Sequence, residues 1–176
     1  MVDSPREATA VELAALLMDI VVRSTPPEEE AVRRLGELAQ TDAGRMRSEL
    51  LFLRDFAVGL ALEVELGGDE RQAEVVAHYS RHWSGLDAEV AGASAERAQR
   101  TAAYAAAAHD PASRAALPER AGRTYASLCG VAAASASSEV ARFGGALFSC
   151  LYEEVCRLLD EVTIRPADAP AAGTVD

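Results

Sequence analysis

The sequence predicts an all-α protein, a single-domain bundle of about five to seven helices, and three observations carry that prediction. Apolar residues recur at three- and four-residue spacing along most of the chain. Helix-start signals, in which a capping residue is followed by proline or by glutamate three positions on, stand ahead of these runs. The composition leans the same way. Alanine supplies much of the 49% hydrophobic content, aromatics make up only 5%, and isoleucine occurs only at Ile20 and Ile164, a balance that favours helix over sheet. Strand-like alternation nowhere persists beyond a few residues.

Ser4-Pro5-Arg6-Glu7 combines a cap residue, proline at the first helical position and glutamate at the third. It predicts a first helix running to about Arg23, with Val11, Leu13, Leu16, Leu17, Ile20 and Val21 on its apolar stripe. Thr25-Pro26-Pro27-Glu28 repeats the signal for a second helix, with Val32, Leu35, Leu38 and Ala39 inward. On its outer face Glu29 with Arg33, and Glu30 with Arg34, are spaced as i,i+4 pairs in the favourable order. Asp42 can cap a third helix carrying Met46, Leu50, Leu53, Ala57, Leu60, Ala61 and Val64. Leu50 to Leu53 and Phe56 to Leu62 are apolar on most sides, which predicts a central position, and Gly67-Gly68 ends the helix.

Asp69 starts a fourth helix with Val76, Tyr79, Trp83, Leu86 and Val90 as its buried face; Gly92 bends or ends it, and Glu96 to His109 resumes an alanine-rich helical run. Asp110-Pro111 breaks the chain, and Pro118 breaks it again or starts the next helix. From about Glu119 to Val162 the pattern is helical, as one helix or as two divided near Ser135 to Ser138, closing on Leu147, Leu151, Val155, Leu158 and Leu159. The bundle domain is expected to span residues 1–164. Residues 165–176, with two prolines and no periodicity, read as a flexible C-terminal tail.

At 176 residues with 26% charged side chains, the chain suits one globular domain with a sizeable core. Its net charge of −11 repels nucleic acid and anionic membrane surfaces. All 17 basic residues are arginine, with no lysine or asparagine in the chain, a pattern that genome composition accounts for. The densest arginines, Arg33-Arg34 and Arg45-Met46-Arg47, sit beside acids, so neither a nucleic-acid nor a membrane partner is expected. Cys129, Cys150 and Cys156 cannot all pair within one chain. The amino terminus carries Asp3 and Glu7 where a secretory leader would be basic, and Asp19 interrupts Ala14 to Val22. A cytoplasmic location with reduced thiols is the expectation.

Two constellations bear on function. Glu70, Glu74, His78 and His82 follow at four-residue steps and lie along one helical face. Histidines at i,i+4 can chelate one divalent transition metal with help from a neighbouring helix, and Glu74 can ligate or orient His78. The zinc-protease and di-iron spacings are both missing, and a polar flank beside Tyr79 and Trp83 is the plainer account. His78, His82 and Glu74 are thus the candidate metal ligands, although no cofactor is the first expectation.

The second constellation is the stretch from Thr124 to Tyr152, whose only charges are Glu139 and Arg142. Within it Cys129, Ala133, Ser137, Ala141, Gly145 and Ser149 recur every four residues. On one helix they form a strip of small side chains that lets another backbone approach closely, inside the bundle, across a homodimer seam, or around an apolar ligand. Ala133, Ser137, Ala141, Gly145 and Ser149 are the candidate interface residues. A membrane span is disfavoured by the charge pair and the serines. The cysteines lack a C-x-x-C pair, and nucleophile elbows, phosphate loops and dinucleotide fingerprints are missing, so no catalytic residue is assigned and an enzyme is not expected.

Glu49 to Phe56 (ELLFLRDF) and Ala77-His78-Tyr79-Ser80-Arg81-His82-Trp83 loosely resemble a region of the TorD-like redox-enzyme maturation chaperones. The likeness covers residues 46–108 through apolar spacing and one His-Trp pair; in that family the region lies towards the C-terminus, whereas here a long helical stretch follows. The resemblance implies an acidic, all-helical cytoplasmic protein that holds a segment of another protein. The functional expectation is accordingly a non-enzymatic interaction module, adaptor- or chaperone-like, binding a protein partner or a second copy of itself as a homodimer. The alternative is a small-ligand or metal-binding bundle using His78/His82 and Tyr79/Trp83.

Overall fold

Two short strands, Arg6–Thr9 (β1) and Val162–Arg165 (β2), lie side by side in a parallel sheet, with every helix between them in sequence. The computed structural model describes residues 6–68, 70–89, 92–110, 115–131 and 134–165. Its helices are α1 (Ala10–Val22), α2 (Pro26–Ala39), α3 (Ala43–Glu65), α4 (Glu70–Glu89), α5 (Ala93–Ala108), α6 (Leu117–Leu128) and α7 (Ala134–Glu161). The all-α bundle is therefore the architecture of the chain.

The sheet departs from the sequence expectation. Its register sets Arg6 opposite Val162 and Thr9 opposite Arg165, and the whole bundle serves as the crossover that parallel pairing requires. Four residues are too few to show alternation in a sequence, although Val162 and Ile164 do turn inward and Thr163 outward. Arg165 belongs to this sheet and not to a tail; the remainder of the expected tail lies outside the described residues.

The strand also moves the first helix. Thr9, not Ser4, caps α1: its hydroxyl accepts from the Glu12 backbone N–H at 3.2 Å, and its own N–H donates to the Glu12 carboxylate at 2.8 Å. Two cap-like signals stand in succession, and pairing of Arg6–Thr9 with β2 leaves only the second free to open a helix. Ser4 and Pro5 lie outside the described residues.

At α2 the expected start holds, with Thr25 and Glu28 closing a capping box around Pro26 and Pro27. The outer ion pairs differ from expectation. Arg33 bridges Glu30 and Glu37, while Glu29 reaches across to Arg47 on α3. Leu38 also turns outward, 57% exposed. Six residues on from Val32 at about 100° per residue, it sits roughly 120° round from the Val32/Gly36/Ala39 face that packs.

Asp42 caps α3, accepting from the Gly44 and Arg45 N–H groups at 3.1 Å. This helix is central, touching every other helix of the bundle. Met46, Leu50, Leu53, Ala57 and Ala61 are buried as expected, whereas Val64 is exposed. Arg54, also buried, donates to the Val21 carbonyl at 3.1 Å and to Glu28 at 2.7 Å, tying α3 to α1 and α2.

α4 buries Val75, Tyr79 and Trp83, a series of i+4 steps, so Val76 and Leu86 fall outside the packed face and are exposed. Asp69 and Val90 lie outside the described residues. Gly92, in the left-handed region at φ +85°, begins α5. The stretch from Glu119 to Val162 proves to be two helices, broken at Cys129-Gly130-Val131 and not at Ser135–Ser138; Gly130 makes the turn at φ +75°. α6 then lies back along α7 with almost no space between backbones. A Cβ on Gly122 would overlap the Ala141 carbonyl oxygen, and one on Gly145 would stand 2.7 Å from the Pro118 carbonyl oxygen.

Candidate functional site

The Glu70, Glu74, His78 and His82 ladder runs along α4 as the four-residue spacing requires. Glu70, Glu74 and His82 are exposed, and His78 is half-buried. Among the described residues no three His, Cys, Asp or Glu side chains come close enough together to hold a metal ion. His78, His82 and Glu74 stand in a row along α4, and among the described residues they form no group of three with one another or with a neighbouring helix.

The next row round α4 faces inward and meets polar groups that sequence reasoning missed. Tyr79 donates its hydroxyl proton to Asp55 of α3 at 2.8 Å, and Asp55 is only 7% exposed. Arg97 of α5 lies over the Trp83 ring, 5.1 Å from its centroid, and pairs with Asp87 at 3.1 Å. The buried Trp83 Nε1 lies beside Asp55 and Tyr79 without completing a hydrogen bond among the described residues. Burial pushes the Asp55 carboxyl above the usual aspartate range, outweighing the Tyr79 hydrogen bond, the Arg97 charge and the nearby Trp83 N–H that pull it down. Burial likewise drives the Tyr79 hydroxyl well up, so it remains a donor. The available signal was slight: Arg54 and Asp55 are the only charges between Leu50 and Leu62.

A second missed carboxylate, Glu49, is 2% exposed and accepts from Arg100 Nε through both oxygens at 2.9 Å. Arg100 also pairs with Glu96 at 3.2 Å. The cluster sets one guanidinium between two carboxylates and joins α3 to α5.

The small-residue strip divides at the break between α6 and α7. Cys129 closes α6 and is not on the α7 helix, and Ala133 lies outside the described residues. Ser137, Ala141, Gly145 and Ser149 remain in line, and all four border a groove of about 690 Å³ between α6 and α7, with Pro118, Arg123 and Arg142 on its walls. The inner side of the strip is consumed within the chain, since Ala141 and Gly145 take the close approach of Gly122 and Pro118. Its outer side is open. Across the ridge formed by Arg142 and Ala146 runs a second groove of about 730 Å³ against α2, floored by Leu35, Leu38 and Phe143. Leu38, misassigned to the core by its spacing, is what makes this groove apolar.

The thiols follow burial. Cys150 on the outer side of α7 is exposed, Cys156 is half-buried, and Cys129 is buried, its thiol pushed up to about 12 chiefly by desolvation. Among the described residues no helix is long and apolar enough to cross a membrane. Comparison with protein-family models, with curated proteins and with solved structures returned no match. The likeness of Glu49–Phe56 and Ala77–Trp83 to TorD-like chaperones rests on those residues alone.

Proposed function

We propose that this chain is a non-enzymatic helical interaction module, adaptor- or chaperone-like, that associates with a second copy of itself through the outer face of α7. One observation carries the reading: Ser137, Ala141, Gly145 and Ser149 open onto one groove, which joins the apolar α2 groove over the low ridge at Ala146. The small side chain of Ala146 on the ridge leaves room for a second helix, and Leu38 and Phe143 supply apolar surface for it to cover.

Charge favours a second copy as the occupant. A twofold interface joins the same patch on both subunits, so the patch must complement itself. Glu139 and Arg142, one helical turn apart and both exposed, meet that requirement: two antiparallel α7 helices would set each glutamate against the other copy's arginine. Arg34 and Glu37 repeat the alternation on the α2 wall.

Native mass spectrometry across a concentration series tests this reading. The unmodified protein is expected to be dimeric in the micromolar range. Ala146→Glu, at an exposed position, is expected to shift it to monomer. Glu139→Arg should weaken the dimer, and adding Arg142→Glu should restore it. A strictly monomeric wild type, or a dimer indifferent to Ala146→Glu and to the charge reversal, overturns the proposal.

A further inference from the structure

Between α3, α4 and α5 lies a cleft of about 320 Å³ that shares no lining residue with the grooves of the proposed seam. Its lining is mainly apolar, from Phe56, Leu60, Val76 and Ala105, but Asp55 and Tyr79 are set into its wall. Among the described residues Asp55 accepts one hydrogen bond of normal geometry, from Tyr79, with the Trp83 N–H close by but short of a full bond, whereas an ionised carboxylate takes up to about four. Of the cationic groups on the cleft wall, Arg97 is paired with Asp87 and lies over the Trp83 face, and His109 Nδ1 is bonded to the Ala105 carbonyl at 2.9 Å; neither bonds Asp55. Glu63 adds another carboxylate at the rim. Asp55 and Glu63 thus share a small, mainly apolar cleft with a guanidinium already paired to Asp87, and Asp55 is nearly desolvated.

We infer that this cleft is a binding site for a small organic monocation, an amine or amidine attached to a single aromatic ring or short branched alkyl body, with Asp55 as the counter-ion. An anion would face carboxylates, and a neutral apolar ligand would leave Asp55 as unsatisfied as before. A protonated amine supplies both the charge and the hydrogen bonds Asp55 lacks, while its body covers Phe56 and Leu60. Inorganic cations fit less well, since the described residues offer no cluster of three ligands. The site is independent of the self-association proposed above, and a monomeric protein would leave it intact.

The chain's single tryptophan reports on the site, because Trp83 abuts the Asp55–Tyr79 pair. Phenethylammonium is the probe, with 2-phenylethanol as its neutral counterpart and 3-phenylpropionate as its anionic one. Trp83 fluorescence is expected to change saturably with phenethylammonium and at least tenfold more weakly with the other two. Asp55→Asn is expected to lose about tenfold or more of the amine affinity and to remove the preference over the alcohol. Gly59→Leu provides a second variant that spares the charge. A Cβ at Gly59, on the cleft wall and exposed, meets nothing within 4 Å, so a larger side chain can be added at this wall without a clash at its root. It is expected to abolish binding with an unchanged helical circular dichroism spectrum. No saturable signal up to about 10 mM, where even a millimolar ligand reaches saturation, overturns the proposal. So does equal binding of amine and alcohol, or full binding by Gly59→Leu.

Discussion

Arg54 and Asp55 are neighbours in sequence and both are buried, yet they face different neighbours of α3 and have opposite fates. Arg54 turns towards α1 and α2, where the Glu28 carboxylate and the Val21 carbonyl receive it. Asp55 turns towards α4 and α5, where it meets a tyrosine hydroxyl and an arginine already paired with Asp87. On one side a buried charge is paired and hydrogen-bonded; on the other it is left short. The difference shows in the acids. Burial pushes Glu28 up, but hydrogen bonds from Arg54 and from the Thr25 side chain and backbone together outweigh it and hold Glu28 below the usual glutamate range. For Asp55 burial wins. The first arrangement is what a fold uses to fix three helices. The second costs stability in the free protein, and a structure keeps such a cost most readily where a ligand offsets it.

The largest effect is expected on the paired side. Glu28→Ala leaves the Arg54 guanidinium, 4% exposed in its side chain, without its counter-ion, and also opens the capping box of α2. Stranding one partner of a buried pair costs about 3–5 kcal/mol, so the urea midpoint should fall steeply. Glu28→Gln, which keeps the cap and an acceptor for Arg54, should fall less. The pH sign follows from the lowered folded-state value of Glu28: its contribution is present above the ordinary glutamate range and is lost as pH drops through the lower, folded value. Equal stability of wild type and Glu28→Ala would erase the contrast between the two sides.

On the unpaired side the sign reverses. Asp55→Asn keeps an acceptor for Tyr79 and removes the desolvated charge, so it is expected to raise stability at pH 7 by about 1–2 kcal/mol, the scale of a poorly compensated buried polar group. Because the folded-state value of Asp55 lies above its unfolded one, the wild-type carboxyl is least costly in acid. Its penalty grows as pH rises from the ordinary aspartate range through the raised folded value. The advantage of the asparagine variant should therefore vanish in urea titrations below that range. A destabilised Asp55→Asn at pH 7 would mean that Asp55 is satisfied in the fold after all.

What the sequence conveyed and what it withheld follow the same division between local and long-range chemistry. Thr25-Pro26-Pro27-Glu28 and Asp42 located their helix starts because capping is settled within four residues. Met46 through Ala61 announced a central helix because no face of it was polar enough for solvent. Thr9 lost out to Ser4 as the expected cap because only the partner strand, more than 150 residues on, decides between two equivalent signals. Val75 was passed over for Val76, and Leu38 placed inside, because an apolar stripe read at this spacing is uncertain by one position until its neighbour is known. The site followed suit. His78 and His82 stood out by spacing, and among the described residues no third ligand joins them. Asp55 carried no motif, only the oddity of a charge inside an apolar run, and its environment comes from helices that lie 24 to 42 positions further along.

The smallest expected effect probes how loosely the α4/α5 side is packed. Gly59 is exposed within α3 on the cleft wall, and a methyl group there meets nothing within 4 Å. Glycine in a helix interior gives up more backbone entropy on folding than alanine, so Gly59→Ala is expected to stabilise the protein by about 0.5–1 kcal/mol. The gain is purely local, from a less flexible unfolded chain, and needs no new contact. It separates two accounts of why glycine stands there. If the residue is merely unselected, the alanine variant is more stable and binds phenethylammonium as well as the wild type does. If its missing side chain keeps the cleft open, the variant gains the same stability but loses affinity in step with the methyl group's volume, and Gly59→Leu loses far more. A destabilised Gly59→Ala would contradict both accounts, because it would require α4 or α5 to pack closer to α3 than the open cleft allows.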